Sequence, residues 1–251
     1  MPRFALRLAY DGTEFSGWWR QPDRRTVAGE LDLAFARIGE PEARAEGASR
    51  TDAGVHAADQ LAHVDCQRRW AAEALRLALA RHLPPEIAVR DVAAVADDWH
   101  AVAGVRRKTY GYRLDLGQSA DPFLARFAWR PPWSARIDRS LMAAAVARLP
   151  GDRDWSAFVR RGDQREDPRC RITNARLVIR GSTVEIRLTA DGFLYRLVRS
   201  LTGAVGAVAC GAASLDDLDA ALTGITTTAS RQQAPARGLH LLRIVHRAPP
   251  F

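Results

Sequence analysis

The most informative stretch of this sequence is Arg50-Thr51-Asp52-Ala53-Gly54-Val55-His56-Ala57. Thr51 and Asp52 carry short polar side chains that bond to nearby backbone groups, and such residues favour turns. Gly54 permits a positive φ angle or the close approach of another group. The stretch therefore predicts a tight loop that presents Asp52 beside Arg50. Taken alone, it would also suit a surface turn with an exposed ion pair, so the surrounding sequence has to decide its role.

Patterns on both sides of this loop predict a β-α-β-β-α-β order for the first hundred residues. Thr26 is placed to cap the first helix, and Leu31, Phe35 and Ile38 would share one face of it. The other predicted elements are a strand Phe4–Tyr10, a short segment Ala43–Ala48, a strand Gln60–Asp65, a helix Trp70–His82 and a strand Ile87–Val92. This order resembles one ferredoxin-like unit, with the Asp52 loop ahead of a strand.

The second half of the chain repeats this theme loosely. Its predicted elements are a strand Lys108–Leu114, a helix Ser140–Leu149, a hairpin of Leu177–Ile179 and Val184–Leu188 around Gly181-Ser182, a helix Leu194–Ala209, a helix Leu215–Leu222 capped by Ser214, and a strand Leu239–Val245. The charged run Gln164–Arg169 is expected to be an exposed loop. We therefore predict an α+β protein with two ferredoxin/RRM-like lobes, residues 1–103 and 104–251, whose sheets are largely antiparallel and flanked by helices.

Composition indicates a cytoplasmic protein without a metal or a disulfide framework. Of the 251 residues, 47% are hydrophobic and 26% are charged, which is ordinary for a soluble globular chain. No apolar run is long enough to span a bilayer, and the amino terminus lacks the pattern of a signal peptide. The cysteines are few and widely spaced: Cys66, Cys170 and Cys210. The six histidines show no metal-ligand spacing, so no metal is expected.

The charge balance favours a polyanionic partner. The formal net charge is +8 and the isoelectric point is about 10.3. Lys108 is the only lysine, so almost all the positive charge is arginine, which bonds phosphate through a bidentate fork and stacks on bases. Nucleic acid is therefore the expected partner.

Several side chains could carry chemistry, and each has a structural alternative. Asp52 could act as a nucleophile if a cation such as Arg50 or Arg199 kept it ionised; Arg199 could instead reach solvent from its helix. Tyr110 could stack on a flipped base or belong to the sheet core. His56 is expected to fix the loop rather than to transfer protons.

The loop Phe15-Ser16-Gly17-Trp18-Trp19-Arg20-Gln21-Pro22 has an unusual composition for a connector. It could stack on or bond to a polynucleotide, or it could place its tryptophans in the core. The sequence leaves both possibilities open. No phosphate-binding loop, dinucleotide fingerprint or nucleophile elbow is present, so no nucleotide cofactor is indicated.

The ordered motifs of the chain resemble those of the TruA-type tRNA pseudouridine synthases. The resemblance runs from about residue 4 to residue 246. It rests on the Asp52 stretch together with Tyr10-Asp11-Gly12-Thr13, Gly17-Trp18, Arg20-Gln21-Pro22, Thr26-Val27, Gly29, Trp99-His100-Ala101, Arg107-Lys108-Thr109-Tyr110-Gly111-Tyr112, Gly192-Phe193-Leu194-Tyr195, Val198-Arg199 and Ala234-Pro235-Ala236-Arg237-Gly238-Leu239.

The resemblance implies isomerisation of uridine to pseudouridine in the anticodon stem-loop of tRNA, at tRNA positions 38, 39 and 40, without cofactor or metal. By motif position, Asp52 would be the nucleophile, Arg199 would pair with it, and Tyr110 would stack on the target base. Leu239 would line the pocket, and Arg50 would hold the RNA or the flipped nucleotide. The resemblance also implies a homodimer and a two-lobed fold with a central basic cleft, in which the second lobe completes the active site. Attack at C6 of the base or at C1′ of the ribose stays open.

Three positions depart from the family pattern, and two other functions remain as alternatives. The family usually has glutamine at the positions of Trp19 and Ala28 and arginine at that of Val102, so these differences bear on selectivity for tRNA. The main alternative is a non-catalytic RNA-binding or RNA-folding protein with two RRM-like lobes. An aspartate-nucleophile hydrolase is less favoured, because the Asp-x-Asp spacing and the metal ligands expected for phosphoryl transfer are missing.

Overall fold

The computed structural model describes residues 1–158 and 167–251. Within these ranges the chain forms nine strands and five α-helices, and the strand pairings are mostly antiparallel. The α+β prediction with largely antiparallel strands is confirmed. In this part of the chain, no helix is both long and apolar enough to cross a membrane.

The chain forms two compact units, and the first comprises Met1–Arg106 together with Leu241–Phe251. Its elements are β1 (Arg3–Tyr10), α1 (Val27–Arg37), β2 (Glu46–Gly47), β3 (His56–Asp65), α2 (Ala72–His82) and β4 (Ile87–Val95). Strand β1 lies between β4 and β3, β2 pairs with β3, and all these pairings are antiparallel. Helix α2 packs against β4 and α1. The predicted β-α-β-β-α-β order is confirmed.

The alternation of β1 and the apolar stripe of α1 build much of the core of this unit. Every second side chain of β1 is buried: Phe4, Leu6, Leu8 and Tyr10. Helix α1 begins after Thr26, whose hydroxyl accepts a hydrogen bond from the backbone N–H of Gly29 at 3.2 Å. Leu31 and Phe35 are fully buried, as the helical spacing predicts.

The second unit comprises Arg107–His240. Its elements are most of β5 (Val105–Asp115), α3 (Arg139–Ala147), β6 (Gly151–Asp154), β7 (Arg169–Arg180), β8 (Thr183–Ala190), α4 (Leu197–Ala209), α5 (Leu215–Leu222) and the start of β9 (Leu239–His246). The strands follow the order β5-β8-β7-β6 with antiparallel pairing. Helix α3 packs on α4, α5 and β7. The last strand begins in this unit and continues in the first.

The structure corrects the start of α4. The apolar run predicted a helix from Leu194, but the helix begins at Leu197 because Arg196 has a left-handed backbone with φ 59°. The predicted loop Gln164–Arg169 lies outside the described residues at 164–166, and Arg169 already belongs to β7. The two-domain division at residue 103 stays a prediction, since the compact units are defined differently and the first unit also contains the carboxyl-terminal residues.

Candidate active site

The Asp52 stretch forms the predicted tight loop in the first unit. The Val55 N–H donates to the Asp52 carbonyl at 3.1 Å, and Gly54 takes the positive φ of 76° that closes the turn. Thr51 is buried, and its hydroxyl lies 2.8 Å from the hydroxyl of Tyr10 on β1. Asp52 itself is partly exposed. The loop therefore fixes its backbone on the sheet while it leaves the carboxylate of Asp52 accessible.

A second loop, Phe15–Trp19, is hydrogen-bonded to the Asp52 loop. The Trp18 N–H donates to the Thr51 carbonyl at 3.0 Å, and the Gly54 N–H donates to the Phe15 carbonyl at 3.2 Å. Gly17 has φ 97°, and a Cβ there would lie only 2.7 Å from the Thr51 carbonyl oxygen. Only glycine allows this approach, so the two loops are built as one unit.

His56 supports the loop through its ring nitrogen. The side chain is buried, and Nδ1 accepts a hydrogen bond from the Gly12 N–H at 3.0 Å. The same nitrogen lies 3.1 Å from a carboxylate oxygen of Asp11. These contacts join the end of the Asp52 loop to the turn after β1, which agrees with the expected structural role of His56.

The two tryptophans of the Phe15–Trp19 loop have opposite environments. Trp18 is fully buried, whereas Trp19 is exposed and its ring lies under the guanidinium of Arg50, 4.6 Å from centroid to Cζ. Arg20 bonds the carboxylate of Asp32 and the carbonyl of Ala45, so it supports the fold. The core placement considered for this loop therefore holds for Trp18, whereas binding of a polynucleotide by Trp19 stays a prediction.

The other departures from the family pattern also lie in the first unit. Ala28 is fully buried in the first turn of α1, and its N–H donates to the Trp18 carbonyl at 3.0 Å. Val102 is exposed, and its N–H donates to Nδ1 of His100 at 3.2 Å. Ala28 therefore helps to hold the Trp18 loop, whereas the Val102 side chain is free to meet solvent.

The second unit holds Tyr110, Arg199 and Leu239. Tyr110 lies on β5 with little exposed surface, and its ring packs edge-on against Phe193 with centroids 5.3 Å apart. Arg199 is the only residue of α4 that is not buried. Its Nε donates to the Ala234 carbonyl at 2.8 Å, while the Ala234 N–H donates to the Arg199 carbonyl at 3.0 Å. Helix α4 is thereby fixed to the segment that leads into Leu239.

Tyr112 and Gly238 hold the same segment against β5. The hydroxyl of Tyr112 donates to the Pro235 carbonyl at 2.7 Å. Burial raises the pKa of this phenol far above its ordinary value, against the opposing effect of the nearby cations Arg199 and Arg237. A Cβ at Gly238 would lie 2.6 Å from the Tyr112 ring, so glycine is needed for this contact. The family motif showed both residues, but no local signal in the sequence indicated that they touch.

The structure thus distributes the candidate residues between the two units. Arg50 and Asp52 lie in the first, and Tyr110, Arg199 and Leu239 lie in the second. Within the second unit, Arg199 donates to the Ala234 carbonyl and Tyr112 of β5 donates to the Pro235 carbonyl. The two side chains therefore hold adjacent residues of one segment. The roles predicted for these five residues stay predictions at this point.

Glu46, His63 and His100 come together in the first unit, although they are far apart in the sequence. Each offers one potential ligand atom, and these atoms lie within 4.8 Å of one another. However, Nδ1 of His100 accepts N–H groups from Val102 and Ala103, which leaves the proton of a neutral ring on Nε2. That nitrogen lies 3.7 Å from Glu46 Oε2. The arrangement therefore favours attraction between His100 and Glu46 over binding of a cation at His100.

Buried His63 should make the stability of the first unit depend on pH. Burial lowers its pKa, and the neighbouring charges of His100 and Arg3 lower it further. Among the described residues, Nδ1 of His63 has no hydrogen-bond partner, and the ring centroid lies 4.4 Å from that of His100, with the two rings tilted by 49°. The folded protein therefore binds a proton at His63 less readily than the unfolded chain does.

We expect the free energy of unfolding to fall as the pH is lowered below about 6.5, the ordinary histidine value. One proton limits the contribution of His63 to about 1.4 kcal/mol per pH unit. Urea unfolding between pH 7.5 and 5 should show a smaller slope for His63→Gln than for the wild type, whereas His82→Gln, at an exposed histidine, should keep the wild-type slope. Equal slopes for wild type and His63→Gln would contradict this prediction. Arg3 lowers the pKa of the Asp65 carboxyl group, so protonation of Asp65 reduces the free energy of unfolding only below about pH 4.

Comparison with known proteins places the chain in a family. A sequence profile described as tRNA pseudouridine synthase matches residues 8–102 and 145–246. The chain belongs to the tRNA pseudouridine synthase family. A protein of Xanthobacter autotrophicus named tRNA pseudouridine synthase A is 37% identical over 246 residues, which cover 97% of this chain and 99% of that protein.

Two further relatives carry the same name and align over nearly the whole chain. The protein of Streptococcus mutans is 34% identical over 98% of this chain and 99% of its own length. That of a Caulobacter species is 37% identical over 96% of both chains. The resemblance stated from the motifs is confirmed, as is the prediction of an enzyme of the isomerase class.

Proposed function

We propose that this tRNA pseudouridine synthase isomerises uridine to pseudouridine in the anticodon stem-loop of tRNA, at positions 38, 39 and 40. The observation that carries the proposal is the family match, which includes the Asp52 loop in one unit and the Arg199 helix in the other. The net charge of +8 supports a polyanionic substrate. The relatives named above are tRNA pseudouridine synthases by name.

We assign the nucleophile to Asp52. Its loop is fixed to β1 and to the Phe15–Trp19 loop by the hydrogen bonds of Thr51, so its position is set before substrate binds. The family motif supports Arg199 as the cation that pairs with it, and the bond of Arg199 to the Ala234 carbonyl holds the direction of that side chain. An arginine beside the carboxylate would attract its negative charge and orient it for attack.

Tyr110 and Leu239 would form the surface for the uracil ring. Each is more than nine-tenths buried, so each side chain is held in place by its neighbours. The edge-on contact with Phe193 fixes the Tyr110 ring, and Gly238 fixes the chain just before Leu239. A base extruded from the RNA would stack on this surface. Arg50 would hold the RNA beside it.

The Asp52 carboxylate attacks C6 of the base or C1′ of the ribose, and the bond between N1 and C1′ breaks. The uracil ring turns so that C5 bonds to C1′. The bond between the carboxylate and the nucleoside breaks and releases Asp52. The C5 hydrogen leaves as a proton to water, and N1 gains a proton from water.

We also propose a binding surface for the tRNA, an oligomeric state and a cellular compartment. The tRNA would lie in a central basic cleft, and the protein would act as a homodimer in the cytoplasm. Free thiols at Cys66 and Cys210 are consistent with a reducing compartment. The family resemblance supports the dimer, and light scattering of the purified protein would measure its mass.

Tritium release tests the function directly. The wild-type protein is incubated with tRNA that carries tritium at uridine C5, and release into water is expected because the C5–H bond is lost during isomerisation. Mapping of pseudouridine in the treated RNA should place the product in the anticodon arm. A non-catalytic RNA-binding protein would bind this tRNA without release, so binding without release would contradict the proposal.

A further inference from the structure

The Trp19 ring occupies an unusual place on the surface of the first unit. It is 45% exposed, and the Arg50 guanidinium lies over it at 4.6 Å. A single exposed tryptophan is not by itself a sign of function. Here, however, Trp19 directly follows Trp18 and Arg50 directly precedes Thr51, and the Trp18 N–H donates to the Thr51 carbonyl. The hydrogen bond between the two loops therefore fixes the stacked pair beside the nucleophile.

The Arg50–Trp19 pair combines two kinds of side chain that bind single-stranded RNA, an aromatic ring and an arginine. An aromatic ring stacks on any base because every base has a π face, and an arginine offers planar donors to phosphate. The cation also stacks favourably on the indole, which orders the long arginine side chain before RNA binds. The rest of the indole surface stays accessible to a second planar group.

We propose that Trp19, backed by Arg50, is a stacking surface for one unpaired nucleobase of the tRNA next to the target uridine. This inference rests on the proposed function, because it takes the substrate to be tRNA. Family members usually have glutamine at this position, so the stacking surface belongs to this chain rather than to the common family site. Where a glutamine side chain would form hydrogen bonds, Trp19 of this chain would stack on a base.

A matched pair elsewhere in the same unit provides the control. The Arg68 guanidinium lies 4.6 Å from the Trp70 ring, the same distance as in the Arg50–Trp19 pair. Trp70 donates from Nε1 to Glu40 and lies outside both loops. Replacing it removes an arginine–tryptophan stack without touching the nucleophile loop.

The first measurement is the affinity of the full-length protein for an anticodon stem-loop RNA. Trp19→Leu should weaken binding about tenfold, as expected for loss of one base stack. Trp19→Phe keeps an aromatic face and should retain most of the affinity, which separates loss of stacking from loss of folding. Trp70→Leu should bind as the wild type does. A Trp19→Leu variant that is folded and binds normally would overturn the proposal, as would an equal loss in Trp70→Leu.

The second measurement identifies the contact with RNAs that lack one base at a time in the anticodon loop. At one position next to the target uridine, removal of the base should weaken wild-type binding about as much as Trp19→Leu does, and it should cause no further loss in that variant. If the loss of binding caused by base removal and the loss caused by Trp19→Leu add at every position, Trp19 acts only by holding Arg50. The proposal of a stacking surface would then be wrong. Tritium release by the wild type is measured in the same preparations. Its absence would overturn the proposed function, whereas release together with additive losses would overturn the stacking surface alone.

Discussion

Replacing Asp52 with asparagine is expected to lower the rate of tritium release from tRNA by about 10⁴-fold or more, the size of effect seen when a nucleophile is removed from a covalent enzyme. The amide is close in shape to the carboxylate but is a poor nucleophile. The loop should keep its structure, because the hydrogen bonds of Thr51 and of the backbone at residues 52–55 are retained in this variant. Affinity for tRNA should therefore change little, and the loss should appear in single-turnover rates.

Two further variants make the result specific to the carboxylate at this position. Asp98→Asn makes the same change of charge at an exposed site in the first unit and should leave the rate unchanged. Asp52→Glu keeps the negative charge but moves the carboxylate by one methylene, so it should also lose most of the activity. Tritium release by Asp52→Asn at more than a tenth of the wild-type rate would mean that Asp52 is not the nucleophile.

The parts of the fold that were predicted from sequence are those encoded by short-range signals. Thr26 caps α1 through a bond to a residue three positions later. Ser214 and Asp217 form a reciprocal capping box at α5. The Gly181 turn joins β7 to β8, and Gly181 takes φ 59°. In each case the residues that make the contact lie within a few positions of one another, so the sequence shows both partners together.

The start of α4 and the fates of the two tryptophans could not be predicted in this way. Leu194 continues the apolar spacing of α4, but Arg196 is left-handed, a conformation that few non-glycine residues adopt. Trp18 is buried because Gly47, a distant residue, leaves room for it: a Cβ there would lie 2.4 Å from the indole. No residue near Trp18 in the sequence indicates that Trp18 is buried and that Trp19 is exposed.

The residues of the candidate site were predicted from the ordered motifs, but the contacts that support these residues were not predicted. Asp52, Arg199 and Tyr110 were named by motif position, but the bond from Arg199 to Ala234 joins residues 35 positions apart. The grouping of Glu46 with His63 depends on the register of β2 and β3, which pairs these two residues. Such contacts follow from strand pairing and loop placement, which a single sequence does not display.

Gly12 illustrates how a turn that is distant from Asp52 in the sequence can control the nucleophile loop. Its backbone is held on both sides: the N–H donates to Nδ1 of His56 at 3.0 Å, and the carbonyl accepts from Phe15 at 3.1 Å. A Cβ at this position would lie 1.9 Å from the Val55 carbonyl oxygen and 2.4 Å from the Val55 carbonyl carbon. Because these are backbone atoms, they cannot move aside as the end of a side chain could. An alanine here must displace the chain three residues after Asp52.

We therefore expect Gly12→Ala to lower the free energy of unfolding by about 3 kcal/mol or more, at the upper end of the cost of overpacking. Activity should also fall in protein that is still folded, because the displaced Val55 closes the turn of Asp52. Gly181→Ala is the matched control: it introduces an alanine at positive φ where, apart from the two chain neighbours, no described residue has an atom within 4 Å of the new Cβ. It should therefore cost only about 1 kcal/mol and no activity. Urea unfolding and tritium release on the same samples measure both effects. Equal losses of stability in the two variants would mean that the Gly12 turn can move away from Val55 at little cost, and that the close approach does not hold the loop.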